Sequence, residues 1–508
     1  MATGDGQRDT AGGGGIAAAQ GSRAPAWLVL TLVCLGQFMV VLDISVVNVA
    51  LPSIQRDLQF SDTGLQWVVN AYTLAFAGFL LLGGRAGDLY GRRRMFIVGL
   101  ALFSAASLAG GLAQDKAMLV AARAIQGLGG AVLAPATLTI LTTSFAAGRD
   151  RARALGVWSA MAAAGGASGA ILGGVLTDTL SWRWILFINV PIGVVGLIGA
   201  RAVLVESIAE GARTHRLDWA GSVTVTGGLV ALVYGIVETE SHGWTSAQTI
   251  VPVAVAAVLL AAFVVVETRV AETPLMPFGL FRVRSVTGAN VVILFLGAAM
   301  FSMWYFLSLY MQDVLGYSPL TAGLAFVPQT VVIVIGAQVA ARLVPRIGPR
   351  PLLVVGGLVS AAGLGWYTQI SPHGSYVGDL LFPGMLVTLG LGLSFMPVTM
   401  AATTGVEPRN AGLASGLVNT TRQIGGSVGL AALATLAVDR FIALSTAGED
   451  RLVALTSGFA RAFGIGSVIC VAAALGAFLI PSIRGGPPAP PTAAETGPEQ
   501  ERVPAHEG

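Results

Sequence analysis

The chain has 508 residues, of which 54% are hydrophobic and 11% charged, where a soluble domain carries about a quarter charged residues. So little polar surface excludes an ordinary soluble globule and makes lipid the expected solvent. The net charge of +3 is dealt out along connecting segments rather than gathered into a patch, which argues against a nucleic-acid partner; Cys34 and Cys470 fall in apolar runs, and the four scattered histidines make no metal cluster.

Residues 1–26 are rich in Gly, Ala and polar residues and read as a disordered cytoplasmic lead rather than a signal peptide. Apolar runs of about 20 residues, the length that crosses the hydrocarbon core, then recur along the chain. The first six lie at 27–50, 66–86, 95–113, 117–140, 154–177 and 184–204. Two more follow at 219–238 and 248–267, and six more at 286–311, 320–341, 352–370, 379–400, 414–438 and 458–480. Residues 481–508, rich in Pro and Glu, read as a disordered cytoplasmic tail. The expected class is an all-α polytopic membrane protein with fourteen transmembrane helices.

Arginines set its direction. Arg92, Arg93 and Arg94, then Arg149, Arg151 and Arg153, Arg213 and Arg216, Arg282 and Arg284, and Arg342, Arg346 and Arg350 fall on one side of the spans. Arg56, Lys116, Arg183, Arg440 and Arg451 fall on the other. Positive loops stay in the cytoplasm, so both termini are expected inside, in a bacterial inner membrane.

An internal echo divides the chain. Arg85, Gly91, Arg93 and Gly99 align with Arg342, Gly348, Arg350 and Gly356 at an offset of 257, and Gly156, Gly165, Gly166 and Gly169 with Gly416, Gly425, Gly426 and Gly429 at 260. The two matches pair spans 1–6 (27–204) with spans 9–14 (286–480), and leave 205–285 as a two-helix insertion with its flanking loops.

Asp43 and Arg123 stand inside spans, where a charge costs about 2.5–3.5 kcal/mol and needs a partner or an interior position. Asp43 in the first span lies about 10 Å from its outer end and Arg123 in the fourth about 9 Å, at 1.5 Å per residue. Matching depth allows a pair that holds the carboxylate ionised until the contact weakens and a proton binds. A purely structural ion pair is the other reading. The segment Gly84–Arg94 holds Gly84, Asp88, Gly91, Arg92 and Arg93: its glycines permit a tight turn, and Asp88 is placed to accept from a neighbouring helix N-terminus or an arginine, as a latch. Gly165, Gly169, Gly173 and Gly174 in the fifth span make a thin helix face, for close packing or for sliding. Asn48, Asn70, Tyr72, Gln126, Asn189, Trp304, Tyr305, Gln329 and Gln338 are candidates for the wall of a substrate cavity, the aromatics among them equally for interfacial anchors.

Gly84–Arg94 resembles the signature loop of the major facilitator superfamily, and Arg123–Gly130 resembles its fourth-span arginine motif. Leu42–Pro52, Trp182–Gly193 and Arg422–Gly426 are similar to the 14-span drug/proton antiporters of that superfamily. The resemblance implies two six-helix bundles, alternating access, Asp43 and Arg123 in proton coupling, and Asp88 with Arg92 in the gating loop. It implies small-molecule substrates and protons as partners, no cofactor and a monomer. Ala170 departs from the pattern, standing where the family usually has proline, and the tenth span lacks the acid that some members use for divalent cations. A neutral, monocationic or zwitterionic amphipathic substrate is therefore expected. A uniporter or symporter on the same scaffold is the nearest rival. An enzyme would need a clustered constellation at an interface, and no phosphate-binding loop is present, since Gly127–Gly130 lacks the lysine and Ser/Thr of that motif.

Overall fold

The computed structural model describes residues 25–145, 149–208, 217–271, 274–407 and 411–482. The lead before Pro25, the tail after Ser482 and the loop arginines Arg213 and Arg216 lie outside the described residues. Among the described residues fourteen helices are long and apolar enough to span a membrane. They are α1 (Ala26–Leu58), α2 (Gly64–Tyr90), α3 (Arg92–Gly111), α4 (Lys116–Ser144), α5 (Arg149–Thr179), α6 (Trp184–Val203) and α7 (Trp219–Thr239). Next come α8 (Ala247–Val270), α9 (Arg284–Val314), α10 (Pro319–Ile347), α11 (Pro349–Gln369), α12 (Tyr376–Thr403), α13 (Gly412–Thr446) and α14 (Arg451–Leu479). The chain is a multi-pass membrane protein.

Every expected span is a helix, and several run further. α1 continues past Ala50 and Pro52 to Leu58, because hydropathy reads the apolar thickness and a helix needs no apolar residue to keep its own hydrogen bonds. Side chains close the helix starts that backbone leaves open. Asp115 accepts from the Met118 N–H at 2.8 Å, Asp218 from Gly221 at 2.7 Å and Asp450 from Leu452 at 2.9 Å.

The first six helices pack in pairs that recur eight helices later. α1 lies on α5 as α9 lies on α13; α2 on α4 as α10 on α12; α3 on α4 and α6 as α11 on α12 and α14. The echo in sequence thus has a physical basis. Gly91 and Gly348 both precede a helix with positive φ, 106° and 77°, a conformation that side chains with a Cβ avoid. Gly165 and Gly169 face the backbone of α1 at Phe38 and Leu42, and Gly425 and Gly429 face α9 at Leu294 and Ala298. With no hydrophobic drive between helices in lipid, such close approach supplies the packing energy. The two halves meet along α5 against α10 and α2 against α13. α7 and α8 pair with each other, α7 resting on α2 and α13 across that seam.

Candidate functional site

Asp43 is fully buried and Arg123 is 2% exposed. Arg123 Nη1 donates to Asp43 Oδ2 at 2.5 Å. One helical turn brings Gln126 beside Arg123 on α4, where its Nε2 donates to Asp43 Oδ1 at 2.6 Å and its Oε1 accepts from Arg123 Nη1 at 2.6 Å. Asn189, at the bend of α6, adds a third donor to Asp43 Oδ1 at 3.0 Å. Ser107 of α3 takes both amides on its hydroxyl, at 2.7 Å from Gln126 and 3.3 Å from Asn189. α2 completes the shell: Val68 O accepts Arg123 Nε at 3.0 Å, and the guanidinium lies over the Tyr72 ring, 4.4 Å from its centre. Five helices of the first half therefore converge on one carboxylate.

That convergence has a physical logic. Two desolvated charges cost several kcal/mol each unless their remaining donors and acceptors are met, and charge-assisted bonds are about twice as strong as neutral ones. Asp43 has three donors on its two oxygens, so its charge is met on both by geometry.

Of the residues expected at a cavity wall, Gln126, Asn189 and Tyr72 surround the Asp43–Arg123 pair. Helix period locates polar groups inside a bundle without saying which neighbour they meet. Asn70 is buried, with Nδ2 3.4 Å from Gln66 Oε1. Asn48 donates to Ile44 O of its own helix at 3.0 Å, and Gln338 is exposed. Gln329 is buried, its Oε1 without a partner among the described residues, and Trp304 is half-buried against the apolar core that both halves share. Tyr305 lines a cavity of about 360 Å³ at the α1–α2 end of the bundle, with Arg56, Asp62, Asp313, Arg451 and Phe459.

Around this end the halves are joined by side chains of α9. Ser308 donates to Asn48 O at 2.5 Å, Gln312 to Val49 O at 2.8 Å and Tyr305 to Asp62 O at 3.4 Å. Gly165, Gly169 and Gly173 pack on α1, while Gly174 meets Pro319 and Leu320 of α10. α5 is helical through Ala170, whose carbonyl faces Gly323 of α10.

The Gly84–Arg94 segment is not a tight turn: α2 stays helical to Tyr90, Gly84 lies inside it, and the chain breaks at Gly91 alone. Of the two partners expected for Asp88, the structure gives the arginine, Arg92 Nη2 at 3.3 Å. The helix N-terminus goes to Glu206, missed in the sequence, whose two carboxylate oxygens accept the Arg93 and Arg94 N–H groups at 3.1 Å each. Arg93 also donates to Arg201 O at 2.9 Å, and Arg85 reaches Pro274 O beyond α8 at 3.2 Å. An acid two residues past an apolar span, in a region of arginines, was the available signal for Glu206. Asp218 and Glu267 were also missed: they face each other at the base of the α7–α8 hairpin, each with one buried oxygen lacking a hydrogen bond among the described residues.

Comparison with known proteins agrees with this architecture. The sequence matches the Major Facilitator Superfamily over residues 33–430. The cephamycin export protein CmcT of Amycolatopsis lactamdurans is 49% identical over 408 residues, 80% of this chain and 84% of that protein. The puromycin resistance protein pur8 of Streptomyces alboniger is 40% identical over 470 residues, 92% of each chain. The tetracenomycin C resistance and export protein of Streptomyces glaucescens is 37% identical, covering 83% and 78%. In fold, the solved structure of a D-xylose-proton symporter superposes with a TM-score of 0.64 over 91% of this chain and 100% of that one, at 14% identity. A bacterial homologue of the lysosomal transporter Spinster, inward-facing and unoccupied, gives 0.62 over 91% and 98%, at 16% identity. On the sequence match, the relatives and the shared architecture together, the chain belongs to the major facilitator superfamily, a family of transporters rather than enzymes.

Proposed function

We propose that this protein is a proton-coupled secondary active exporter of a small amphipathic compound, such as an antibiotic or secondary metabolite. The observation that carries the proposal is the Asp43–Arg123 pair with its three-donor carboxylate, placed in a half-bundle that packs against its partner along α5–α10 and α2–α13. The printed functions of the relatives, export and resistance, support the direction. In this reading Asp43 carries the proton and Arg123 with Gln126 and Asn189 sets when it binds. Rocking of residues 27–204 against 286–480 alternates access, with 205–285 as an inserted hairpin. The positive-inside rule puts both termini in the cytoplasm of the bacterial inner membrane. The α1–α2 end, closed by the α9 contacts, then faces outward, and the Asp88–Arg92 and Glu206 contacts form the cytoplasmic gate. The exporter works as a monomer.

The test is uptake of a dye panel into inside-out vesicles with internal pH followed in parallel. Wild type is expected to accumulate dye only with a proton gradient and to release protons from the lumen as it does so; Asp43→Asn is expected to abolish both. Accumulation that survives collapse of the gradient, or full coupled efflux by Asp43→Asn, overturns the proposal. Dye moving with the protons, out of the lumen, would indicate a symporter.

A further inference from the structure

Arg123 is not the sole arginine inside the bundle. Arg422 lies ten residues into α13, about 15 Å from the start of that helix at 1.5 Å per residue. An arginine near mid-membrane costs at least a few kcal/mol unless it is paired, snorkels or faces water, and at that depth its side chain is too short to reach the interface. Arg123 has an acid. Among the described residues Arg422 has none: its polar contact is Nη2 donating to Asn419 Oδ1 at 2.8 Å, and its guanidinium lies 5.9 Å from the Phe395 ring of α12.

The direction in which Arg422 points follows from the packing of α13. Ile424, Val428 and Ala431 face α7. Two residues back along a helix turns the side chain by about 200°, so Arg422 leaves on the opposite face, toward Phe395 of α12. Its exposure fits: Arg422 is partly open, and Asn419, one turn back on the same helix, is exposed. The position is also fixed from behind. Gly297 of α9 has no side chain, which lets α9 lie against the Arg422 carbonyl, and the neighbouring Thr421 donates to Asn290 Oδ1 at 2.8 Å. A guanidinium on a pinned backbone, with a spare fork of donors and an aromatic ring 5.9 Å away, matches one chemistry. The fork takes a planar carboxylate in two parallel bonds, and Phe395 offers its face to the apolar body.

We infer that Arg422, with Asn419 and Phe395, binds the carboxylate of an amphipathic anion or zwitterion, and so selects substrate by charge. This deepens the export reading and rests on it for the direction of transport, and of the neutral, monocationic or zwitterionic substrates expected from the tenth span it keeps the zwitterionic. A cationic substrate would be repelled by the Arg422 guanidinium, which has no acid paired with it among the described residues.

The probes are 7-(diethylamino)coumarin-3-carboxylate and its uncharged primary amide, measured first as equilibrium binding to the purified full-length protein. Wild type is expected to bind the acid at least tenfold more tightly than the amide. Arg422→Gln is expected to erase that preference while leaving amide binding within about twofold, a charge-assisted bond being worth at least tenfold; Arg422→Lys is expected to keep part of it. If Arg422→Gln fails to fold, Asn419→Ala and Arg422→Lys, each lowering the preference with amide binding kept, test the same claim. Failure of wild type to prefer the acid, or an unchanged preference in Arg422→Gln, overturns the inference. Loss of acid and amide binding together in a folded Arg422→Gln also overturns it, because the arginine is then structural. Vesicle uptake separates the two proposals: Asp43→Asn is expected to stop transport of both dyes with the acid preference in binding intact. Wild-type vesicles that move neither dye, with that preference present, count against export alone.

Discussion

Replacing Arg123 by Gln tests whether the Asp43 cluster is one energetic unit. The substitution leaves a carboxylate with no exposed surface facing only Gln126 and Asn189, and leaves Val68 O without its donor. Breaking a buried pair by removing one partner costs about 3–5 kcal/mol, and an orphaned buried carbonyl adds about 1–3 kcal/mol. Arg123→Gln is therefore expected to lose about 4–8 kcal/mol of stability. Asp43→Asn alone strands the guanidinium and is expected to lose about 3–5 kcal/mol. In the double variant neither charge is stranded, and what remains is the Val68 acceptor and the contact over Tyr72. The double variant is then expected to fall short of the summed losses by about 3 kcal/mol or more. Thermal and denaturant unfolding of the purified protein in one detergent, for wild type, both single variants and the double, measures this coupling. Additivity within about 0.5 kcal/mol would refute the reasoning and reduce the pair to two independent contacts.

Two other substitutions probe the cytoplasmic elements. Glu206→Ala removes the acceptor of the Arg93 and Arg94 N–H groups at the start of α3; a loss of about 1–2 kcal/mol is expected, with faster hydrogen exchange at those two amides, and unchanged exchange there would contradict the cap. Glu267→Gln gives the unpartnered oxygen of Asp218 an amide donor and removes one of two facing carboxyls, while the side-chain oxygen still accepts the Met276 N–H. It is expected to stabilise the protein by about 0.5–1.5 kcal/mol, and a lower melting temperature would count against the carboxyl contact.

The sequence by itself determined what depends on each residue's solvent. Span number followed from apolar length, and equal depth allowed the Asp43–Arg123 contact, because rise per residue is fixed. The repeat was legible because Gly91 and Gly348 occupy backbone conformations closed to other residues. Which helices touch was decided only in three dimensions. Asn189 and Ser107 come to Asp43 from α6 and α3 through packing set by small residues far apart in the chain, and no local pattern records that meeting. Glu206 is likewise joined to α3 across more than a hundred residues. Arg422 was visible as part of a motif, but only the packing of Ile424, Val428 and Ala431 on α7 shows that it turns toward α12. Helix period gives the angle between side chains, whereas the partner at that angle is set by the assembled bundle.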